Sequence, residues 1–578
     1  MRLINVNTRE FEEFYEDCTP PYAILSHTWD GDDEVTFQDM KDMMVSSSSP
    51  GSAPAKKGFT KINETCRLAL TVEPRIEYAW VDTCCIDKSS SAELTESINS
   101  MFKWYANSTV CFVHLADLSP DVEFKQGIQQ CKWITRGWTL QEVVAPAHVR
   151  FYDAEWKFRG MKKKLYQELA DATGIPTRLF QMNTKISGYP IAQRMSWASK
   201  RKTTRVEDTA YCLLGILEVN MPLIYGEGTM AFRRLQEEVI KRNNDLTIFA
   251  WNPPGDADGP GICSMLATSP AEFLNSAHVV LHVMQEISPE FVLTNKGLRL
   301  EETLHIDLNT PRSADDGGPP QKQDPGGSHY LLTVGRSAHD RDTTLNVCLQ
   351  KVGPGLFLRL ATPLRHCTIA ERKRFYVTHP STFSILTGTT APDRRILARF
   401  RRDGDQVAFP VQIRNAIPEG IWDDGEKIFY AGSSRPIRAI TFDKVLGGQT
   451  FELAVLLDRI GCKSKGLGPT CYIVDARKHR TLSKHLFRRR LHDNSLHWSD
   501  LEVDFPDLLP LPTEIQFAVG AKTFRLRPRS QREDVEMVGS RVPVFRLYLD
   551  VAERSRDGNG WGWAGRTVGA DDGGEEGA

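Results

Sequence analysis

The stretch Tyr22-Ala23-Ile24-Leu25-Ser26-His27 decides the fold of the N-terminal region. It is short and largely apolar and ends in two polar residues, a pattern typical of a buried β-strand that meets a loop at its carboxyl end. Three later segments are also short and rich in β-branched, aromatic or other apolar residues: Tyr78–Asp82, Thr109–Leu115 and Val149–Tyr152. We therefore predict four strands within residues 1–155.

Amphipathic helices are predicted between these strands. One apolar face contains Phe59, Ile62, Cys66, Ala69 and Leu70, and a second contains Leu94, Ile98, Met101, Phe102 and Tyr105. Ser90 and Glu93 have capping-box spacing at the start of the second helix. Because alternating strands and helices build parallel sheets with the helices as crossovers, residues 1–155 predict an α/β fold.

Residues 156–251 are predicted to be mainly helical. Thr204 and Glu207 have capping-box spacing, and a last helix is predicted over Met230–Lys241. The run Leu246–Trp251 predicts a closing strand. We interpret this part as a helical extension that completes the α/β region.

The C-terminal half has a different character. Residues 252–262 predict a Pro/Gly/Asp linker, residues 263–556 a separate β-rich domain, and residues 557–578 a disordered tail. The strand-like runs of the β-rich part include Val279–Val283, Tyr330–Val334, Leu345–Gln350 and Phe451–Leu457, with a polar loop at Thr310–Gly327.

The composition identifies no charged partner. The 72 Lys and Arg residues nearly cancel the 74 Asp and Glu residues, so no overall field attracts nucleic acid or an anionic membrane. No apolar run resembles a signal peptide or reaches the roughly 18 residues of a transmembrane segment, so we expect a cytoplasmic protein. The 12 cysteines form no zinc-type cluster, and no metal site is predicted.

Common catalytic motifs are missing from the sequence. It contains no G-x-x-x-x-G-K-[ST] phosphate loop, no G-x-S-x-G elbow and no H-E-x-x-H motif. Gly226, Gly228 and Ala231 fit G-x-G-x-x-A, but a dinucleotide-binding fingerprint needs a preceding strand, and the preceding residues resemble a helix that runs into a turn. We expect a tight loop that opens a helix, with a phosphate site as the alternative.

Polar side chains gather at the predicted carboxyl ends of the strands, where open parallel sheets bind ligands. Ser26 and His27 follow the first strand and Asp82 the second. Further acidic residues follow in the loops: Asp87, Asp117 and Asp153. The simpler interpretation is that each is an ordinary turn or cap residue.

Trp138 and Glu142 form a more specific pair. They lie four residues apart on a predicted short helix before the fourth strand, so their side chains share one face. An aromatic ring and a carboxylate in this arrangement can hold a flat cationic ring, and a carboxylate beside a ribosyl bond can stabilise an oxocarbenium-like transition state. The alternative is a core tryptophan followed by a glutamate in the first turn of a helix.

Six ordered motifs run through residues 1–251. They are Tyr22–Trp29, Tyr78–Asp87, Met101–Ala106, Arg136–Glu142, Glu207–Ile216 and Leu223–Gly228. Together they resemble the fungal HET (heterokaryon incompatibility) domain, and several ordered motifs are a far stronger signal than one. HET domains act in vegetative incompatibility, in which fusion of genetically different cells ends in programmed cell death.

HET domains are distantly similar to Toll/interleukin-receptor (TIR) domains. The resemblance therefore implies a TIR-like or flavodoxin-like parallel sheet with a helical extension. Some TIR domains cleave NAD with a glutamate in a W-x-x-x-E setting, and Trp138 and Glu142 match that setting by strand order. By analogy, Glu142 is the candidate catalytic residue, Trp138 stacks on the substrate, and Ser26, His27 and Asp82 line the pocket. NAD is then a substrate, and neither a metal nor a further cofactor is required.

Two non-catalytic interpretations stay open. Many TIR domains are homotypic adaptors, which implies self-association through the HET domain. The β-rich half is alternatively a sensor that binds a ligand or a partner, such as a non-self protein, and restrains the HET domain. The nucleotide-binding module and repeat array of the best-known incompatibility proteins of this type have no counterpart in this sequence.

Overall fold

The computed structural model describes most of the N-terminal half and parts of the C-terminal half. The described residues are 1–15, 18–45, 56–182, 185–254, 261–282, 290–307, 329–340, 342–353, 355–368 and, beyond these, the strands named below with a few adjoining residues. Among the described residues, no helix combines the length and apolar character that crossing a membrane requires.

The N-terminal region contains a mixed sheet with a parallel centre. In the described chain its strands are β1 (Arg2–Asn5), β2 (Phe11–Glu13), β3 (Tyr22–His27), β4 (Tyr78–Trp80), β5 (Val110–His114), β6 (Val149–Tyr152) and β7 (Phe158–Met161). The spatial order is β2-β1-β4-β3-β5-β6-β7, and β4, β3, β5 and β6 run parallel. The predicted α/β fold is confirmed. The chain leaves β3 for β4 on one side and then returns to β5 on the other, so the topological switch point lies between β3 and β5.

Helices connect the parallel strands as predicted. They are α1 (Phe37–Val45), α2 (Gly58–Ala69), α3 (Asp82–Cys85), α4 (Ser91–Asn107), α5 (Phe124–Gly127), α6 (Lys132–Thr135) and α7 (Thr139–Val144), with 3₁₀ turns at Gly31–Asp33 and Ile128–Gln130. The predicted apolar faces of α2 and α4 are buried or half-buried. The Ser90 hydroxyl caps α4 by accepting from the Glu93 amide at 3.3 Å, which confirms the predicted helix start.

The helical extension differs from the prediction at two places. Its helices are α8 (Tyr166–Thr173), α9 (Thr177–Met182), α10 (Ile191–Ser196), α11 (Asp208–Tyr211) and α12 (Met230–Arg242), with 3₁₀ turns at Ile186–Gly188 and Leu246–Phe249. The predicted strand over Leu246–Trp251 is wrong, because the Asp245 carboxylate accepts from the amides of Thr247 and Ile191 and starts a 3₁₀ turn against α10. The predicted cap at Thr204 is also wrong, because α11 begins only at Asp208.

The C-terminal half is rich in β-strands, as predicted, and most of the described pairs are antiparallel. One sheet contains β8 (Ile262–Cys263), β9 (Val279–Val280), β10 (Phe291–Thr294), β11 (Gly297–Glu302), β12 (Leu304–Asp307), β13 (His329–Ser337), β14 (Thr344–Gly353), β15 (Leu356–Leu360), β16 (Arg365–Cys367), β17 (Tyr376–Val377) and β18 (Ser381–Ile385), and a 3₁₀ turn at Pro270–Phe273 lies among them.

Two further sheets follow in the described residues. One contains β19 (Arg395–Phe400), β21 (Trp422–Asp423), β22 (Ile428–Ala431), β26 (Ile515–Val519), β27 (Lys522–Met537), β28 (Ser540–Arg554) and β29 (Trp561–Trp563), and the other contains β20 (Gln412–Ile417), β23 (Arg438–Leu446), β24 (Gln449–Leu457) and β25 (Cys471–Asp475). Strand β29 lies within the predicted tail. The predicted Thr310–Gly327 loop falls outside the described residues, and the predicted domain boundaries stay predictions.

The helical extension and the first C-terminal sheet share a buried junction. Arg359 on β15 is fully buried, and its guanidinium donates to the carbonyl oxygens of Phe249 and Trp251 at 3.1 and 2.6 Å. The same guanidinium lies 3.6 Å from the centroid of the Trp251 ring, a cation–π contact. Gln236 on α12 also exchanges two hydrogen bonds with Ala267. The hydrophobic core is therefore continuous across the predicted linker.

Candidate functional site

The candidate site lies at the carboxyl ends of β3 and β5, at the switch point of the sheet. Ser26 and His27 are the last residues of β3, and His27 is the register partner of His114 at the end of β5. Successive strand residues point to opposite faces of a sheet. Ser26 and His27 accordingly take part in two separate sets of contacts, one on each face.

On the first face, Ser26 connects Glu142 with Trp133. The Ser26 hydroxyl donates a short hydrogen bond to Oε2 of Glu142, and the indole Nε1 of Trp133 donates to the Ser26 hydroxyl at 2.7 Å. Glu142 lies on α7 and is only 6% exposed, and Trp133 is fully buried. Ser26 and Glu142 were predicted as site residues from the sequence, whereas Trp133, which lies on α6 five residues before Trp138, was not.

The carboxyl group of Glu142 has an altered acidity. Burial raises the pKa of Glu142 to about 8, and the negative charge of Asp82 contributes in the same direction. The hydrogen bond from Ser26 and the charges of Arg136 and Arg201 oppose this rise in part. At neutral pH the side chain is therefore mainly protonated in the ligand-free protein.

Trp138 has a different polar partner from Glu142. Its side chain is half-buried and lies near Asp208 of α11, whose pKa it lowers. Gly137 allows the tight packing of this turn, because a Cβ at that position would lie 2.5 Å from Cγ2 of Thr203. Trp138 and Glu142 thus lie about one helical turn apart, as predicted, but the indole and the carboxyl group face different parts of the chain.

On the second face, His27 and Asp82 form the centre of a hydrogen-bonded set. His27 Nε2 lies 3.1 Å from Oδ1 of Asp82, and the indole of Trp29 donates to Oδ2 at 2.9 Å. Burial alone would raise the pKa of Asp82, but the His27 contact, the charge of Lys88 and the Trp29 hydrogen bond lower it. Asp82 therefore stays ionised, and its side chain is 17% exposed.

A buried lysine fixes the loop that follows β3. Lys61 on α2 forms a short ion pair with Glu34, contacts Oδ2 of Asp30 at 3.0 Å and donates to the Thr28 carbonyl at 3.0 Å. Oε1 of Glu34 in turn lies 3.7 Å from Nδ1 of His27. This network, which was not predicted from the sequence, holds the backbone on either side of Trp29 in place.

The other acidic residues predicted near the strand ends act as turn and cap residues. Asp87 accepts from the Ser89 amide at 2.9 Å, and Asp117 accepts from the Lys132 amide at 2.8 Å at the start of α6. Asp153 accepts from two amides of its own turn, each at 3.0 Å. These contacts agree with the simpler interpretation. In the described part of the chain, no group of three or more His, Cys, Asp or Glu residues is arranged to hold a metal ion.

The glycine amides of the G-x-G-x-x-A stretch bind a carboxylate of the protein itself. Gly226 and Gly228 have φ of 106° and 60°, and their amides donate to one carboxylate oxygen of Glu207 at 2.8 and 3.0 Å. The described chain has helices and no strand between β7 and these glycines, and α12 begins two residues after Gly228, at Met230. Because a carboxylate of the protein already accepts from these amides, the stretch is a tight loop that opens a helix.

Comparisons with known proteins show that the N-terminal region is similar to heterokaryon incompatibility proteins. The family model "Heterokaryon incompatibility protein (HET)" matches residues 22–127, and a domain of unknown function, DUF8212, matches residues 230–259. The chain is 45% identical over 236 residues to "Vegetative incompatibility protein HET-E-1" of Podospora anserina.

That alignment covers 39% of this chain and 17% of the relative, so the chain spans less than a fifth of the curated protein it matches. No solved structure matches the chain. Glu142 lies beyond the residues matched by the HET family model.

Proposed function

Because the N-terminal region of this chain carries a HET domain, we propose that the protein is an effector of heterokaryon incompatibility and programmed cell death that acts by cleaving NAD at Glu142. The similarity to a vegetative incompatibility protein supports the incompatibility role, and the resemblance of HET to TIR domains suggests the chemistry. The observation that carries the enzymatic part is a buried glutamate of raised pKa, bonded to Ser26 at the switch point of the sheet.

The proposed reaction breaks the bond between ribose C1′ and the nicotinamide nitrogen. Nicotinamide leaves with the bonding electron pair and becomes neutral, and positive charge develops at C1′. Water adds to C1′ and releases a proton, giving ADP-ribose. An ionised Glu142 stabilises the charge at C1′, and the approach of the cationic nicotinamide ring favours that ionised form.

The neighbours of Glu142 have separate roles in this proposal. Ser26 and Trp133 orient the carboxyl group through their hydrogen bonds. Trp133 is fully buried, so stacking against the nicotinamide ring falls to the half-buried Trp138. Asp82 and His27 line the same strand ends, and the ionised Asp82 favours a cationic ligand.

The test uses the full chain fused to an inducible dimerisation module. NAD turnover and toxicity in a fungal host are measured for the native protein, Glu142→Gln and Glu142→Ala, with the exposed Glu96→Gln as a matched control. We expect both Glu142 variants to lose turnover and toxicity by at least about a hundredfold, and the control to keep them. Full turnover in Glu142→Gln would disprove the enzymatic assignment.

One observation favours a second function, that of a homotypic adaptor. Strand β7 is an end strand of the described sheet, and two of its apolar side chains, Phe158 and Met161, are 53% and 43% exposed. Exposed apolar edge strands pair readily with other chains. Under this alternative, Phe158→Glu combined with Met161→Glu abolishes toxicity, whereas Glu142→Gln keeps it.

A further inference from the structure

His114 is a buried polar residue that the proposed mechanism does not use. It is only 6% exposed, and among the described residues neither of its ring nitrogens has a partner with hydrogen-bond geometry. The carbonyl oxygen of Ala154 lies close enough to favour the protonated ring, but not in the geometry of a hydrogen bond. Buried polar atoms without partners are rare in folded proteins and are destabilising.

Trp156 fixes the plane of the His114 ring without satisfying its nitrogens. The two rings are stacked, with centroids 4.1 Å apart and planes 4° apart. Trp156 has φ of 61°, which for a bulky side chain is an unfavourable left-handed conformation. Two unfavourable features, an unpartnered histidine and a strained tryptophan, therefore support one contact at the end of β5.

Charge selects the kind of ligand that suits this position. Burial lowers the pKa of His114 to about 4, and the nearby His27 and Lys61 contribute in the same direction. The charge of Asp30 opposes this fall only in part, so the ring is neutral, and one of its nitrogens can donate a hydrogen bond while the other accepts one. A neutral imidazole offers no charge to attract a cationic nicotinamide ring or a free carboxylate, but it can hydrogen-bond the donors and acceptors on the edge of a neutral heterocyclic base.

We propose that His114, held by Trp156, is a substrate-contacting residue that hydrogen-bonds the polar edge of a neutral adenine ring. This subsite lies at the same strand ends as Glu142 but among the contacts of the opposite face of β3. It rests on the proposed function in taking NAD as the dinucleotide, with the cationic ring beside Glu142. Binding of an adenine nucleotide at His114 does not itself require cleavage.

The decisive variant is His114→Phe in the full chain. Phenylalanine keeps an aromatic ring against Trp156 and removes both unpartnered nitrogens, so a purely structural histidine would be replaced without loss, or with a higher melting temperature. His148→Phe is the matched control, because His148 is exposed and lies just before β6, at the amino ends of the parallel strands and away from the site. Trp156→Gly is a second variant that removes the stack and relieves the positive φ.

Equilibrium binding of AMP, ADP-ribose and nicotinamide is measured by calorimetry for each protein, together with NAD turnover. We expect His114→Phe and Trp156→Gly to weaken AMP and ADP-ribose binding about tenfold, and nicotinamide binding and the His148→Phe control to stay unchanged. If His114→Phe fails to fold, Trp156→Gly decides the result in the same way.

The outcomes separate this inference from the proposed function. Native binding of AMP that depends on His114, without NAD turnover, supports the subsite and overturns the cleavage. NAD turnover with an unchanged KM in His114→Phe supports the cleavage and overturns the subsite. Absence of AMP and ADP-ribose binding by the native chain overturns the subsite outright.

Discussion

Replacing Glu142 by glutamine should stabilise the folded protein while it removes the proposed activity. Glutamine has nearly the same shape and still accepts a hydrogen bond from Ser26, but it cannot ionise. The native glutamate, in contrast, must lose its proton inside a site that disfavours the charge.

The size of the effect follows from the acidity of Glu142. The rise of its pKa from 4.5 to about 8 corresponds to a ceiling of about 5 kcal/mol in the free energy of unfolding. Below about pH 4.5 the side chain is protonated in both states, and the two proteins are equally stable. Above that pH the unfolded chain ionises first, so native stability falls until the folded pKa is passed. At pH 7 we expect the variant to be more stable by on the order of 3 kcal/mol.

Native-state hydrogen exchange in β3 measures this difference locally. Peptides that cover Tyr22–His27 are compared between native protein and variant at each pH, so the intrinsic exchange rates cancel. Glu96→Gln on the exposed face of α4 is the control and should show no stabilisation. If Glu142→Gln were less stable at neutral pH, or if the difference were constant from about pH 5 to pH 8, Glu142 would be an ionised structural residue and the reasoning would be refuted.

Three further predictions concern other contacts. Ser26→Ala leaves Trp133 without its acceptor and should lower the free energy of unfolding, measured by hydrogen exchange, by about 1–3 kcal/mol. Because the Ser26 hydrogen bond lowers the pKa of Glu142, the same variant should shift the pH midpoint of NAD turnover upward, and a downward shift would contradict this role. Phe158→Glu should weaken self-association in sedimentation velocity and leave the melting temperature unchanged, and a fall in that temperature would assign Phe158 to the core instead. Arg359→Ala leaves the carbonyls of Phe249 and Trp251 without their charged donor and should destabilise the junction by about 3 kcal/mol in urea denaturation. Arg299→Ala, at an exposed position of β11 in the same sheet, should have little effect.

The strands of the parallel sheet were predictable from the sequence because each is a short apolar run between turn signals. The strand ends were predictable for the same reason, and Ser26 and His27 lie at the carboxyl end of β3 as predicted. The helix cap at Ser90 was readable from three-residue spacing. These features depend on residues that are close together in the chain.

The contacts across the site depended on distant parts of the chain. The four-residue spacing of Trp138 and Glu142 predicts a shared direction, but not which element faces each residue. Trp138 lies near Asp208 of α11, whereas Glu142 is hydrogen-bonded to Ser26 of β3, so the two side chains face different elements. The loop at Gly226 was unpredictable for the same reason. Its amide donates to Glu207, which lies 19 residues earlier in the chain, outside the G-x-G-x-x-A motif.

The junction at Arg359 changes how the two halves of the chain can be separated. A fragment that ends at Trp251 would lose the guanidinium that binds the carbonyls of Phe249 and Trp251, and it would expose apolar side chains of α12 that pack in the shared core. Its toxicity would then reflect folding as well as release from restraint. Point variants of the full chain avoid this confusion. If the C-terminal half restrains the HET domain, a mild change at the junction, such as Arg359→Lys, should raise toxicity while the β3 amides keep their protection. Equal toxicity with intact protection would instead assign the junction to stability alone.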